Sequence, residues 1–284
     1  MTEKLENSIT MGKAFLKTNM LEKASSCFGE ALENKESLDV ALFYLGVVSF
    51  KQAEYHKAVK MFKKLLEIRT NSIHAYNNLG LSLEQCNRRK EAMLVYNTGL
   101  EITPTSSLLL ANRGILKYKM NDYEGSVQDL SKALKKRPGI TFLYFYLANS
   151  CVKTDRLKEA RDYLEEALNL QPDDVTVLNN LGYVSLELGF HDEARDYLKR
   201  AVRISGGKRS LYISLARLYA HRGKLEMCVL MVAKAFPGDH SKTGHHLEEL
   251  SDFLAGCGRE EEASYLNKRA ADIAGGNSKF KRTS

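Results

Sequence analysis

The sequence contains no tryptophan and only four prolines among its 284 residues. None of its apolar stretches approaches the roughly 20 residues that cross a bilayer; one of the longest, Ile140 to Val152, is broken by polar side chains. Scarce proline leaves helices uninterrupted. Plentiful Ala, Leu, Glu and Lys, with 27% charged and 44% hydrophobic residues, describe a soluble chain built mostly of helix, without β structure. The N-terminal MTEKLENSITMGKAFLK has acidic residues where an export signal carries basic ones. Five cysteines, Cys27, Cys86, Cys151, Cys228 and Cys257, lie far apart with no CxxC pair, so a reducing compartment and a cytoplasmic location are expected.

A convergent catalytic constellation is also lacking. The seven histidines are scattered, and the one group that could hold a metal, His240, His245 and His246 with Asp239 and Cys257, lacks the HxxxH spacing of a helix face. It is expected to be a solvated loop entering the last hairpin. SGGKRS at 205–210 lacks the GxxxxGK[ST] frame of a phosphate loop and no strand precedes it, so it is expected to be a turn. Asp196 and Arg200, at i and i+4, suit a solvent-facing helix. No enzyme activity, cofactor or metal is expected.

What the sequence does have is a period. Gly12, Gly46, Gly80, Gly114, Ala148, Gly182 and Ala216 recur every 34 residues. In step with them run Ala24, Ala58, Ala92, Ser126, Ala160, Ala194 and Cys228, and, four further on, Phe28, Phe62, Tyr96, Leu130, Leu164, Leu198 and Val232. Small residues return at Ala31, Gly99, Ala133, Ala167, Ala201 and Ala235, a series broken only by Leu65, and Pro104, Pro138 and Pro172 close three units. With residue 5 as position 1, positions 20, 24 and 27 fall at i, i+4 and i+7, one buried helical face. A first helix fills positions 1 to 14, so each unit is a helical hairpin that proline at position 32 stops.

This pattern resembles the tetratricopeptide (TPR) repeat family, clearest in SIHAYNNLGLSLEQCNRRKEAMLVYNTGLEITP and VTVLNNLGYVSLELGFHDEARDYLKRAV. The resemblance implies an all-α, right-handed superhelical α-solenoid of about eight helix-turn-helix repeats. Residues 1–4 are then an extension, 5–242 seven regular repeats, 244–274 a divergent capping repeat with Leu250, Ser251, Ala263 and Ala270 in place, and 275–284 a basic, disordered tail. Polar Asn267 at the bulky position of the last unit fits a cap, whose outer face meets water.

In a TPR stack the first helices line a concave surface, so function is sought at positions 2, 5, 6, 9, 12 and 13. These give Val40, Phe43, Tyr44, Val47, Asn78, Leu108, Asn112, Ile115, Phe142, Phe145, Tyr146, Asn149, Asn180 and Arg217. The resemblance implies that the asparagines at position 6 can clamp a peptide backbone, as in some TPR proteins; the alternative is asparagine hydrogen-bonded to water or a neighbouring loop. Apolar side chains at this face suit an amphipathic helix or an extended segment, though some can pack on adjacent repeats. Lys17, Lys51, Lys119 and Lys153 at position 13 form either a basic rail for an acidic partner or a complement to the helix dipole. The frame with which some TPR domains grip a chaperone's C-terminal carboxylate falls on Asn77, Leu81, Asn112, Phe142 and Tyr146, where only Asn112 fits.

The expected function is therefore a non-enzymatic adaptor or scaffold binding a peptide or helix of another protein. The alternatives are an RNA-binding helical-repeat protein, suggested by the net charge of +7 but disfavoured by 35 acidic residues, and a regulatory subunit of a partner enzyme.

Overall fold

The computed structural model describes residues 2–32 and 37–275, with side chains from residue 7 onward. The described residues form sixteen helices and no strand. They divide into two compact units, Met1–Tyr146 and Leu147–Ser284, with the division inside one helix.

The first unit holds α1 (Thr2–Lys17), α2 (Leu21–Ala31), α3 (Leu38–Lys51), α4 (Tyr55–Ile68), α5 (Ile73–Gln85), α6 (Arg89–Ile102), α7 (Ser107–Lys119), α8 (Tyr123–Lys136) and the start of α9 (Thr141–Lys153). The second holds the rest of α9, then α10 (Leu157–Leu170), α11 (Val175–Glu187), α12 (His191–Ser205), α13 (Arg209–His221), α14 (Leu225–Ala235), α15 (His240–Gly256) and α16 (Glu260–Ala274). In each unit odd and even helices pair as hairpins, and successive odd helices also touch, as α3 does α5 and α13 does α15.

The small series explains the pairing. A Cβ added at Gly46 would lie 2.6 Å from Cζ of Phe62, and one at Gly182 2.6 Å from Cγ of Leu198, so where the small residue is glycine the bulky residue of the second helix lies against bare backbone of the first. Phe28, Phe62, Tyr96 and Leu130 are fully buried in those slots. Helix ends follow the sequence as well. Ser72, Ser106 and Asp174 cap α5, α7 and α11 by accepting backbone N–H bonds, while Pro104, Pro138 and Pro172 each follow the end of a second helix.

Three expectations change. Residues 2–4 belong to α1 rather than to an extension. The last hairpin starts at His240, not near residue 244, and α15 runs 17 residues with Asp239 as its cap, so His240, His245 and His246 lie on a helix rather than in a loop. Fully buried Leu266, three residues past Ala263, fills the bulky slot, and Asn267 beside it is exposed. Asp196 and Arg200 lie on the solvent side of α12, where Arg200 donates to the Pro172 carbonyl at 2.8 Å and Asp196 pairs with Arg195. SGGKRS lies at the turn from α12 to α13, where Gly206 and Gly207 take positive φ. Most of the 275–284 tail lies outside the described residues.

Candidate functional site in the first helices

In the first unit the aromatic side chains of α3 are only partly available. Tyr44 stacks on buried Phe28 at 5.0 Å between centroids, and Phe43 meets Phe62 edge-on at 6.1 Å. Both remain half-buried, as do Val40 and Val47, so they serve core and surface at once. They border an open cavity of about 270 Å³ lined by Lys13, Asp39, Val40, Phe43, Tyr44, Leu65, Arg69, Ser72 and His74. Further along, Phe142 is 58% exposed, Ile115 and Leu108 are half-buried, and Tyr146 packs its edge against Tyr118 and Phe145.

The asparagines of this unit bond to one another. Asn112 on α7 donates through Nδ2 to Oδ1 of Asn77 on α5, and Asn77 donates to Oδ1 of Asn78 at 3.2 Å. Asn77, buried and absent from the position-6 series, thus ties two successive first helices. The amide of Asn112 is used between helices, not held open. A second polar tie is deeper: Asp129, 2% exposed, takes a two-pronged contact from Arg113 at 2.7 Å and another from Lys117 at 2.9 Å. Its geometry suits structural bracing of α7 and α8.

The lysines at position 13 do not behave alike. Lys119 is paired at 2.9 Å with Glu84, which also accepts from the Tyr96 hydroxyl at 2.9 Å. Burial, then the Glu84 charge, pushes the Tyr96 hydroxyl far above its ordinary pKa, so it stays a donor. Lys17 and Lys51 in this unit, and Lys153 in the other, are exposed, and no carboxylate among the described residues pairs with them.

In the second unit Asn149 and Asn180 are half-buried, and Nδ2 of Asn180 is enclosed without a hydrogen-bond partner. Its neighbour Asn179 accepts from Ser214 at 2.8 Å, again linking first helices. Exposed Arg217 lays its guanidinium 5.0 Å from the Phe253 ring centroid beside a cavity of about 180 Å³ lined by Ile213, Arg217, His246, Glu249, Leu250 and Phe253. His246 contacts Glu249 at 2.6 Å and stacks on Phe236. His221 lies near the same Phe253 ring at 5.1 Å, and its burial lowers its pKa below the ordinary histidine value.

Within each unit, therefore, predicted positions cluster: Phe43 and Tyr44 at one cavity, Arg217 at another, and Asn78 with Asn112 in a network. Reading the sequence left Lys13, Leu65, Arg69 and Asn77 out of the candidate site, although Leu65 stood out as the break in the small series and Asn77 fell in the chaperone-tail frame. Lys13 falls at position 9 of the first unit and could have been found there; Arg69, in the connection, carries no periodic signal. No group of His, Cys, Asp or Glu among the described residues could hold a metal, and no described helix is long and apolar enough to cross a membrane.

Models described as tetratricopeptide repeat match residues 40–72, 73–106, 112–174 and 147–209. The chain is 23% identical over 229 residues to TPR repeat-containing protein MJ1428 of Methanocaldococcus jannaschii, covering 71% of this chain but 40% of that protein. It spans a still smaller share, 21%, of human protein O-mannosyl-transferase TMTC3, at 23% identity over 66% of this chain. Among solved structures, a tetratricopeptide repeat protein from Parabacteroides merdae is similar with a TM-score of 0.61 at 17% identity, covering 94% of this chain and 99% of the other. YrrB, described as a TPR protein with an unusual peptide-binding site, has a TM-score of 0.58 at 22% identity, covering 65% of this chain and 96% of its own. Such identities speak for the fold alone. With the matched segments coinciding with hairpins in both units, the chain belongs to the tetratricopeptide repeat family.

Proposed function

We propose that this chain is a non-enzymatic protein-interaction module, an adaptor or scaffold that takes a peptide or helix of a partner protein on the exposed faces of its first helices. The observation that carries this reading is the set of half-buried aromatic and apolar side chains on α3, which pack on the core and also border an open cavity. Side chains with an apolar body anchored in the core and a free edge make stiff contact surfaces, since little rotamer freedom remains to be lost on binding. Phe142 on α9 adds an exposed aromatic edge. TPR repeats generally mediate contacts between proteins, and one structural neighbour is described by its peptide-binding site. The five free thiols fit the cytoplasmic location read from the sequence.

The test is affinity capture of partners on immobilised protein, comparing the native chain with Val40→Glu and Phe142→Ser in one unit and Arg217→Ala in the other. None of these side chains is buried, so all three variants should keep native helix content by circular dichroism. Capture of a protein that falls by about tenfold in at least one variant is expected, the size of losing one good anchor. Equal capture by all four proteins would remove the first-helix faces from consideration.

A further inference from the structure

The cavity in the first unit coincides with the one irregularity of the repeat. Position 27 is small in every other regular unit: Ala31, Gly99, Ala133, Ala167, Ala201 and Ala235. At Gly99 the reason is visible, because a Cβ there would lie 2.7 Å from Leu109 and 3.0 Å from Tyr76. At Leu65 the equivalent place accepts a whole side chain, which is 2% exposed and contributes to the wall of the 270 Å³ cavity.

Val40, Phe43 and Tyr44 supply the rest of the apolar wall. The polar rim is unbalanced. Its one carboxylate, Asp39, is already engaged by Arg69 at 2.7 Å. Lys13 is exposed, its ammonium 5.2 Å from the Tyr44 ring centroid, and no described carboxylate pairs with it. The uncompensated charge is therefore positive and sits beside an aromatic wall.

Resting on the interaction reading above, we propose that this cavity receives a bulky apolar or aromatic side chain from an acidic segment of a partner protein, with a neighbouring Asp or Glu paired to Lys13. The volume decides the scale of the occupant. It lies below the roughly 300 to 1,000 Å³ of cofactor and drug-sized sites, and so suits one side chain. The charge decides its sign, because a carboxylate placed against Lys13 over an aromatic ring meets an unspent cation. A nucleic acid fits less well: the lining offers one unengaged lysine, not the row of cations that tracks a phosphate backbone.

The experiment is a selection of random short peptides displayed on phage against the full chain, followed by fluorescence anisotropy of the enriched peptides with the native protein, Lys13→Glu, Val40→Glu and Phe142→Ser. Labelled oligouridine is the nucleic-acid probe. Enriched peptides should carry an aromatic or large aliphatic residue next to Asp or Glu and lose about tenfold in affinity with Lys13→Glu and with Val40→Glu. Both positions are partly or fully solvent-facing, so the variants are expected to fold. Enrichment of neutral or basic peptides, or affinity indifferent to Lys13→Glu and Val40→Glu, would overturn the proposal. Peptides that depend on Phe142 alone would leave the interaction reading standing while removing this cavity. No enrichment at all would sink both, and oligouridine binding that depends on Lys13 would replace the acidic segment with a nucleic acid.

Discussion

Position 15 of every repeat turns the chain from first helix to second with a left-handed residue. Asn19, Ala53, Asn87, Asn121 and Asp155 have φ between 58° and 64°, and Gly189, Gly223 and, after the one-residue shift, Gly258 continue the series. Asparagine, aspartate and glycine enter this region readily, but alanine does so at a cost of about 1–2 kcal/mol because its Cβ crowds the following carbonyl. Ala53 is exposed, so its methyl gains little from packing. Glycine there should relieve the strain, offset in part by greater freedom of the unfolded chain. Ala53→Gly is thus expected to raise stability by about 0.5 kcal/mol or more, read as a higher urea midpoint with unchanged slope; a lower midpoint would show that Ala53 is unstrained. The series has a strict period in the sequence, yet its members share neither size nor hydropathy, only tolerance of one backbone region. A search by bulk passes over it.

At the scale of the hairpin, the fit of glycine against a large residue sets how closely two helices approach. Gly182 leaves no room for a methyl beside Leu198. The seventh hairpin uses a different pair, Ala216 with the smaller Val232, both fully buried. Gly182→Ala alone should destabilise by about 1–3 kcal/mol through overpacking, despite its better helix propensity. Adding Leu198→Val should return part of the loss, and a double-mutant cycle in urea measures that coupling. Additive effects would mean that the two side chains do not share the slot. The hairpins themselves were legible because period, small residues and prolines are local facts of the chain. The polar ties were not. Asn112 bonded to Asn77 and Lys119 bonded to Glu84 each join residues 35 apart in sequence, and which partner a long side chain selects depends on rotamers fixed only by packing. For that reason position 6 read as an open ladder, while part of it is a brace.

At the scale of the whole molecule, the C-terminal hairpin closes the core of the second unit. Leu247, Leu254 and Leu266 of α15 and α16 share one buried cluster with Tyr219, Met231, Val232 and Phe236 of the preceding hairpin. Ending the chain before α15 would turn those four residues toward water, and a terminal repeat without a polar outer face promotes association. Such a truncation should sediment as oligomers where the full chain is expected to be monodisperse; a monomeric truncation would show that α13 and α14 can end the stack unaided. That the last unit departs from the repeat was readable in the sequence, but its register was not, because a single shifted residue moved Leu266 into the slot assigned to Asn267. Leu65 carries a consequence for how such a chain can grow. The contact between positions 8 and 24 stays inside a hairpin, so a copied hairpin brings it along intact, whereas position 27 is the seam with the next first helix, as Gly99 against Leu109 shows. A hairpin with a small residue at that seam presents the same surface to whichever first helix follows it. The α3–α4 hairpin presents a leucine there, so its seam is matched to the one first helix that follows it, and the cavity beside Leu65 belongs to that junction.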